Sequence, residues 1–471
     1  MTSDTSRQAK PSTHPSTYPS SHPSSQASPH PRPRSEPPPP GTAAHRDPNV
    51  LRWLGAYAAS MVGDGVYFLS LGWAAARIGG PAQVGLVMAV GAVPRALLML
   101  GGGVIADRFG PRRVVIGSDA ARCALILAAA AALWLAAPGL WLLVALALLF
   151  GVVDALFMPA VGALPPRITG RGELMRLLGF KAFMERVGKL AGPPTAGFAM
   201  GVGGPAAAFA VAGALFAVSL LLLITVRITP VRPDEAVRPD EAVRDDGAAV
   251  RDDGAVQDEP TERATAWREL RNGLRYVRRH RVVGPLVVSG CISQIGITPP
   301  LTVGIVVLGE ERGWGPAGAG LVLGAMAFGA GASTLGLAVA GRFPRAGRWA
   351  TLTLLVASGL IGAIGLLPTV PGAAAVALGA GLVSGLCGAL SATLIQANTE
   401  PRYLGRVSSV MAFTAVGVTP LFFPVGGWAA GLWGAPTVFV AGGSVSMAAA
   451  LLPLFAREVW RAELPGQRRP A

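Results

Sequence analysis

From Val407 to Ala456 the chain contains no Lys, Arg, Asp or Glu, and three other stretches are equally bare: Val282–Gly309, Gly313–Gly341 and Trp349–Thr399. A helix crosses the hydrocarbon core of a bilayer in about 20 apolar residues, so the longer stretches must each hold two crossings. Only 14% of the 471 residues are charged, where a soluble protein carries about 25%. A multipass membrane chain is the one class that fits.

Breaks at Gly, Pro and charged clusters place twelve spans: 51–77, 82–106, 113–136, 139–165, 174–200, 205–227, 282–308, 315–340, 349–368, 371–397, 403–430 and 434–456. The charges between them alternate. Connections from odd to even spans are nearly bare, as in Ala136-Ala137-Pro138-Gly139, Gly201–Pro205, Pro368–Gly372 and Gly431–Pro436. Those from even to odd are basic: Arg108, Arg112 and Arg113; Arg167, Arg171 and Arg176; Arg342, Arg345 and Arg348; Arg402 and Arg406. By the positive-inside rule the basic side and both termini are expected in the cytoplasm, with the chain in the cell membrane. One missed helix would scramble this alternation.

The expected organisation is a disordered Pro/Ser/His-rich tail over 1–50, a six-helix bundle over 51–227, and a disordered linker over 228–261. An amphipathic helix over 262–281, a second six-helix bundle over 282–457 and a short tail over 458–471 complete it. The N-terminal tail has no apolar h-region, so it does not read as a signal peptide. The linker holds the degenerate repeat RPDEAV-RPDEAV-RDDGAAV-RDDGAV, polar and unable to bury a core. In the amphipathic helix Trp267, Leu270, Leu274 and Val277 share a face and Arg268, Arg271, Arg275, Arg278 and Arg279 cover the rest. That pattern suits a helix at the cytoplasmic interface among anionic head groups.

The net charge of +14 does not point to nucleic acid, because the cations sit between apolar spans rather than on one soluble domain. Cys123, Cys291 and Cys387 stand singly in apolar segments, spaced for neither a disulfide framework nor zinc. No phosphate loop of the form GxxxxGK[ST] occurs, and all five His lie in the tail or beside the linker. Neither ATP-driven pumping nor a membrane-embedded enzyme with a catalytic His is favoured, and no cofactor or metal is expected.

Two motifs carry a resemblance. The loop Gly103-Val-Ile-Ala-Asp107-Arg108-Phe-Gly110-Pro-Arg112-Arg113 resembles motif A of the major facilitator superfamily, GxxxDRxGRR, with Pro111 in place of the first basic residue. The fifth span, with Gly179, Gly188, Gly192, Pro193, Ala196 and Gly197, resembles that family's motif C with one Gly-to-Ala change. Glu269–Arg279 and the Gln396…Gly405-Arg406-Val407 segment are similar to bacterial macrolide and siderophore exporters of the superfamily. The resemblance covers about residues 51–457. It implies two six-helix bundles working as a monomer, a gating latch keyed by Asp107, and export of a small amphipathic compound in exchange for protons. An uptake permease and a transporter-like receptor remain as alternatives. The fourth span lacks the motif B arginine, and Gly341-Arg342-Phe343-Pro344-Arg345 lacks the acid of a second motif A.

Ionisable residues within a span are costly and therefore candidates for function. Asp64 and Arg95 lie about 20 Å along the first and second spans and are expected to pair, with protonation of Asp64 releasing Arg95. Asp154 in the fourth span is a candidate proton site or cation contact. Lys181, Glu185 and Lys189 form one stripe on the fifth span, with Glu185 and Lys189 as further coupling or substrate candidates. Asp119 and Arg122, three apart on the third span, are expected to brace the motif A loop. The second bundle has no intramembrane charge; its Ser293, Gln294, Thr298, Gln396, Asn398, Thr414 and Thr419, with Phe328, Phe413, Phe422 and Trp428, offer a weakly polar wall.

Overall fold

Prolines at positions without a helical N–H to lose open the helices, and glycines with positive φ close them. Pro48 begins α1 (Pro48–Gly79), where the Asp47 carboxylate also accepts from Asn49 N at 2.8 Å. Gly80, at φ 79°, ends α1, and Pro81 begins α2 (Pro81–Phe109). Gly110, at φ 83°, closes α2 before α3 (Pro111–Leu135). The computed structural model describes residues 46–135, 139–169, 173–227, 262–340 and 345–462. The expected tail up to residue 45 and the linker lie outside the described residues, as does Arg342 of the basic cluster, while residues 48–50 of the expected tail already belong to α1.

The first half continues with α4 (Leu140–Gly162), the short α5 (Pro165–Ile168) and α6 (Leu174–Thr225). α6 is two antiparallel crossings: Gly203 and Gly204 leave helical geometry, Gly204 at φ 69°, and Pro205 restarts the helix. This is the turn that the Gly201–Pro205 break marks in the sequence. After α7 (Glu262–Arg279) the second half holds α8 (Val283–Pro299) and a π-helical turn over Pro300–Gly304 running into α9 (Ile305–Glu311). Then come α10 (Gly315–Ala340), α11 (Ala346–Ile364) and α12 (Val370–Asn398). α13 (Pro401–Ala412), α14 (Phe423–Trp433), α15 (Ala435–Phe455) and α16 (Arg457–Trp460) complete it.

Among the described residues, ten helical segments are long and apolar enough to cross a membrane. Adding α1, which carries Arg52 and Asp64 within its 32 residues, and counting α6 as two gives the twelve expected crossings. No strand occurs among the described residues. The eleventh crossing is not the plain helix expected over 403–430. Between α13 and α14 the chain takes a π-helical stretch, Phe413–Val418, and a tight 3-10 turn, Thr419–Phe422. There Thr419 Oγ1 donates to Thr414 O at 2.9 Å. Irregular backbone at membrane depth is tolerated where it lines a cavity or is buried in protein.

The apolar core is shared at one end and divided at the other. Toward the bare connections a single cluster joins Tyr67, Trp73 and Phe150 of the first half to Val306, Phe423 and Phe439 of the second. Toward the basic connections each half has its own core, one around Trp53, Phe157 and Leu177, the other around Val283, Leu390 and Val407. At the bare end backbones nearly touch across the halves. A Cβ on Gly427 would lie 2.6 Å from Pro81 O, and one on Gly197 2.8 Å from Ala317 Cα. Small residues allow such approach without a hydrophobic drive between helices.

α7 is helical over Glu262–Arg279, and its apolar face is split. Val277 is buried, Tyr276 stacks on Tyr403 with ring centroids 4.3 Å apart, and Leu274 remains exposed. A Cβ on Gly273 would come 2.7 Å from Arg406 O. Part of the face expected to meet lipid therefore packs on α13. Trp267 and Leu270 lie outside the described side chains.

Candidate functional site

Arg122 projects from the middle of α3 into the first bundle, and its side chain is fully buried. Its fork reaches three carboxylates on three helices. Nη1 lies 3.3 Å from Asp64 Oδ1 on α1 and 3.1 Å from Asp154 Oδ1 on α4, and Nη2 lies 3.0 Å from Asp119 Oδ1 on α3. Nη2 also donates to Ser60 Oγ. The guanidinium is packed between rings, with Phe157, Phe216 and Phe150 centroids at 3.8, 4.7 and 5.7 Å. A planar, weakly hydrated cation suits such a site, where an ammonium would not.

Arg95 on α2 extends the network, its Nε 3.0 Å from Asp154 Oδ2. The expected Asp64–Arg95 pair is thus corrected: Asp64 pairs with Arg122, and Arg95 with Asp154. Equal depth on neighbouring antiparallel helices fixes height but not azimuth, and Arg122 stands between the two. The Asp119–Arg122 pair does form, but Arg122 turns toward Asp64 and Asp154 and does not brace the motif A loop. Five charged side chains converge, three acidic and two basic, from four helices. Fully ionised, the cluster carries one excess negative charge.

Arg95 and Asp154 of the cluster line a cavity of about 320 Å³ between the two halves. α1 contributes Tyr67, Phe68 and Leu71; α2 Met88, Gly91, Ala92 and Arg95; α4 Ala147, Phe150, Gly151 and Asp154. From the second half come Thr302 of the π-helical turn after α8, Ala415, Val416 and Pro420 of the irregular stretch, and Phe423. The weakly polar wall expected of the second half is therefore built from other residues. Phe328, Phe413 and Trp428 are exposed and do not line the cavity.

The remaining candidates fall into place around this centre. Glu185 is held on the first half, accepting from Tyr57 Oη at 2.7 Å and from Lys181 Nζ at 2.6 Å. Lys189 is exposed and, like Glu185, is not on the cavity wall. In the motif C-like helix, a Cβ on Gly192 would lie 2.7 Å from Gly65 Cα, beside Asp64. Gly188 packs on Met61, and Pro193 and Gly197 face α10 of the second half, whereas Gly179 faces open space. In the motif A-like loop Arg112 donates to Ile224 O at 2.9 Å, while Arg108 and Arg113 are exposed. Gly103 and Asp107 lie outside the described side chains.

Ser60, Tyr57 and the three-phenylalanine cage carry no signal in the sequence, being ordinary residues of apolar helices. Arg122 was visible only as an i, i+3 partner of Asp119.

None of the curated proteins matches the chain. Solved structures share its fold. A bacterial homolog of the human lysosomal transporter Spinster, inward-facing and unoccupied, is 14% identical, with 87% of this chain and 95% of that one covered and a TM-score of 0.57. The inward-facing and occupied form gives 15% identity, the same coverage and 0.56. The POT family transporter PepTSo is 11% identical, with 88% and 98% covered and a TM-score of 0.62. The family model described as Major Facilitator Superfamily matches residues 53–424, and the chain belongs to that superfamily.

Proposed function

We propose that the chain is a proton-coupled secondary transporter that exports a small amphipathic solute by alternating access. The observation that carries this is the Arg95–Asp154–Arg122–Asp64–Asp119 network, which reaches the wall of a cavity between the halves through Arg95 and Asp154. Uncompensated charge in a low-dielectric interior is costly. With three acids against two guanidiniums, binding one proton neutralises the cluster, and losing it leaves a charge to be balanced. Protonation therefore changes which arginine each acid holds, on helices that meet at the cavity.

The two halves can rock because their cores are separate at the basic end and joined at the bare end. Taking the basic end as cytoplasmic, the cavity is closed from outside, one of the two states alternating access needs. Export is the direction that the motif C-like helix favours. Packed on Gly65 on one side and on α10 on the other, it links the Asp64 segment to the seam between the halves.

Everted membrane vesicles from a pump-deficient host, given a panel of fluorescent amphipathic solutes, test this reading. Solute movement that an imposed pH gradient drives and a protonophore alters, and that Asp154→Asn loses, is expected. Movement indifferent to both the pH gradient and the protonophore would sink proton coupling.

A further inference from the structure

The cavity presents one accessible charge, and it is positive. Arg95 keeps 29% of its side chain exposed and spends only Nε on Asp154. Among the described residues, its two terminal nitrogens make no hydrogen bond or ion pair. The carboxylates offer nothing comparable. Asp154 is 4% exposed with Oδ1 on Arg122 and Oδ2 on Arg95. Asp64, bound to Arg122, is not on the cavity wall. A cationic head group would find no open acid; an anionic one finds half a guanidinium.

Resting on the reading of this cavity as the transport site, we propose that its solute is an amphipathic monoanion whose acidic group binds Arg95 in place of Asp154, accompanied by one proton. The exchange is possible because Asp154 has a second cation. When Arg95 turns to the solute, Asp154 keeps Arg122 Nη1 at 3.1 Å, so no carboxylate is left buried and alone. A planar fork binds a carboxylate through two parallel hydrogen bonds, and an Arg has two nitrogens free to make them. The apolar part of the solute rests on Tyr67, Phe68, Met88 and Phe423, and about 320 Å³ admits a fused two-ring body.

The proton follows from charge balance. The cluster already carries one excess negative charge, and a bound monoanion makes it two. The groups facing Asp154 are Tyr67 on α1, Arg95 on α2, Arg122 on α3 and, through Arg122, Asp64 on α1 and Asp119 on α3; among the described residues no charged group of the second half lines the cavity. One proton on Asp154 or Asp64 restores the resting balance and weakens the hold on Arg95. Anion and proton thus favour one another, so they move together. Export would then be driven by the solute's own outward gradient, each anion carrying a proton.

Three probes of one shape separate the charges: naphthylacetate, naphthylethylammonium and naphthylacetamide. With the purified full-length protein in an uncharged detergent, naphthylacetate is expected to bind about tenfold tighter than the amide, as a charge-assisted bidentate pair should. Binding should take up about one proton per anion from weakly buffered solution. Arg95→Lys should retain a preference for the acid and Arg95→Gln should lose it, each compared after confirming an unchanged thermal unfolding curve. Tighter binding of the amine with proton release, or equal binding of acid and amide, overturns the anion assignment. If vesicles still move the amide or amine in a protonophore-sensitive way, the transport reading survives that failure. If no probe binds and none moves, both fall.

Discussion

Arg122 Nη1 sits 3.1 Å from Asp154 Oδ1, on a different helix, with the arginine side chain fully buried and the aspartate 4% exposed. The same arginine neutralises Asp64 and Asp119. Removing it strands Asp64 and Asp119 at once and leaves Asp154 with Arg95 alone, whereas removing any one acid leaves Arg122 partnered.

Arg122→Gln is therefore expected to destabilise the protein more than any single acid-to-amide change in the cluster. Breaking one partner out of a buried ionic network costs about 3–5 kcal/mol, which thermal unfolding in detergent would register as a large fall in Tm. Arg122→Lys should recover little of it, because an ammonium cannot fork to Asp64, Asp119 and Asp154 between three rings. Equal Tm values for Arg122→Gln and Asp119→Asn would contradict the hub role.

The motif C-like glycines separate into two kinds. A Cβ on Gly192 meets the Gly65 backbone at 2.7 Å, while Gly179 has nothing within 4 Å. Gly192→Val should cost about 1–3 kcal/mol or more through overpacking, and Gly179→Ala should be nearly neutral. Thermal melts of the two variants decide this, and equal losses would mean that the helix does not pack on α1 as described.

Gly427 closes the bare end by letting α14 reach Pro81 O and Gly85. Gly427→Leu is expected to weaken that seal and favour the oppositely open state. An introduced Met88→Cys on the cavity wall should then label faster with a membrane-impermeant thiol reagent applied from the bare side. An unchanged rate relative to the Gly427 background would argue against the seal.

Much of the architecture was legible because the bilayer imposes strong rules. Charge-free runs and the alternation of arginines marked the crossings, and Gly203-Gly204-Pro205 marked the reversal that divides α6. The site was legible only by residue type. Asp64, Arg95, Asp119, Arg122 and Asp154 stand out because charge is rare in spans, but the sequence places them by height alone. Which way each faces depends on helix rotation and packing, set here by contacts such as Gly192 on Gly65. Hence Asp64 was matched to Arg95 when Arg122 intervenes. The cavity's far wall, built from Ala415, Val416 and Pro420, depends on an irregular turn that a uniformly apolar run does not announce.

Proton coupling through Asp154 is the central claim, and solute-driven proton flux measures it most directly. Purified protein in liposomes carrying an internal pH dye is given an outward gradient of a transported amphipathic solute and no starting pH difference. Wild type is expected to shift the internal pH as the solute leaves, while Asp154→Asn still exchanges labelled for unlabelled solute but shifts no protons. A pH change in Asp154→Asn equal to that of wild type, at equal solute flux, would contradict the account.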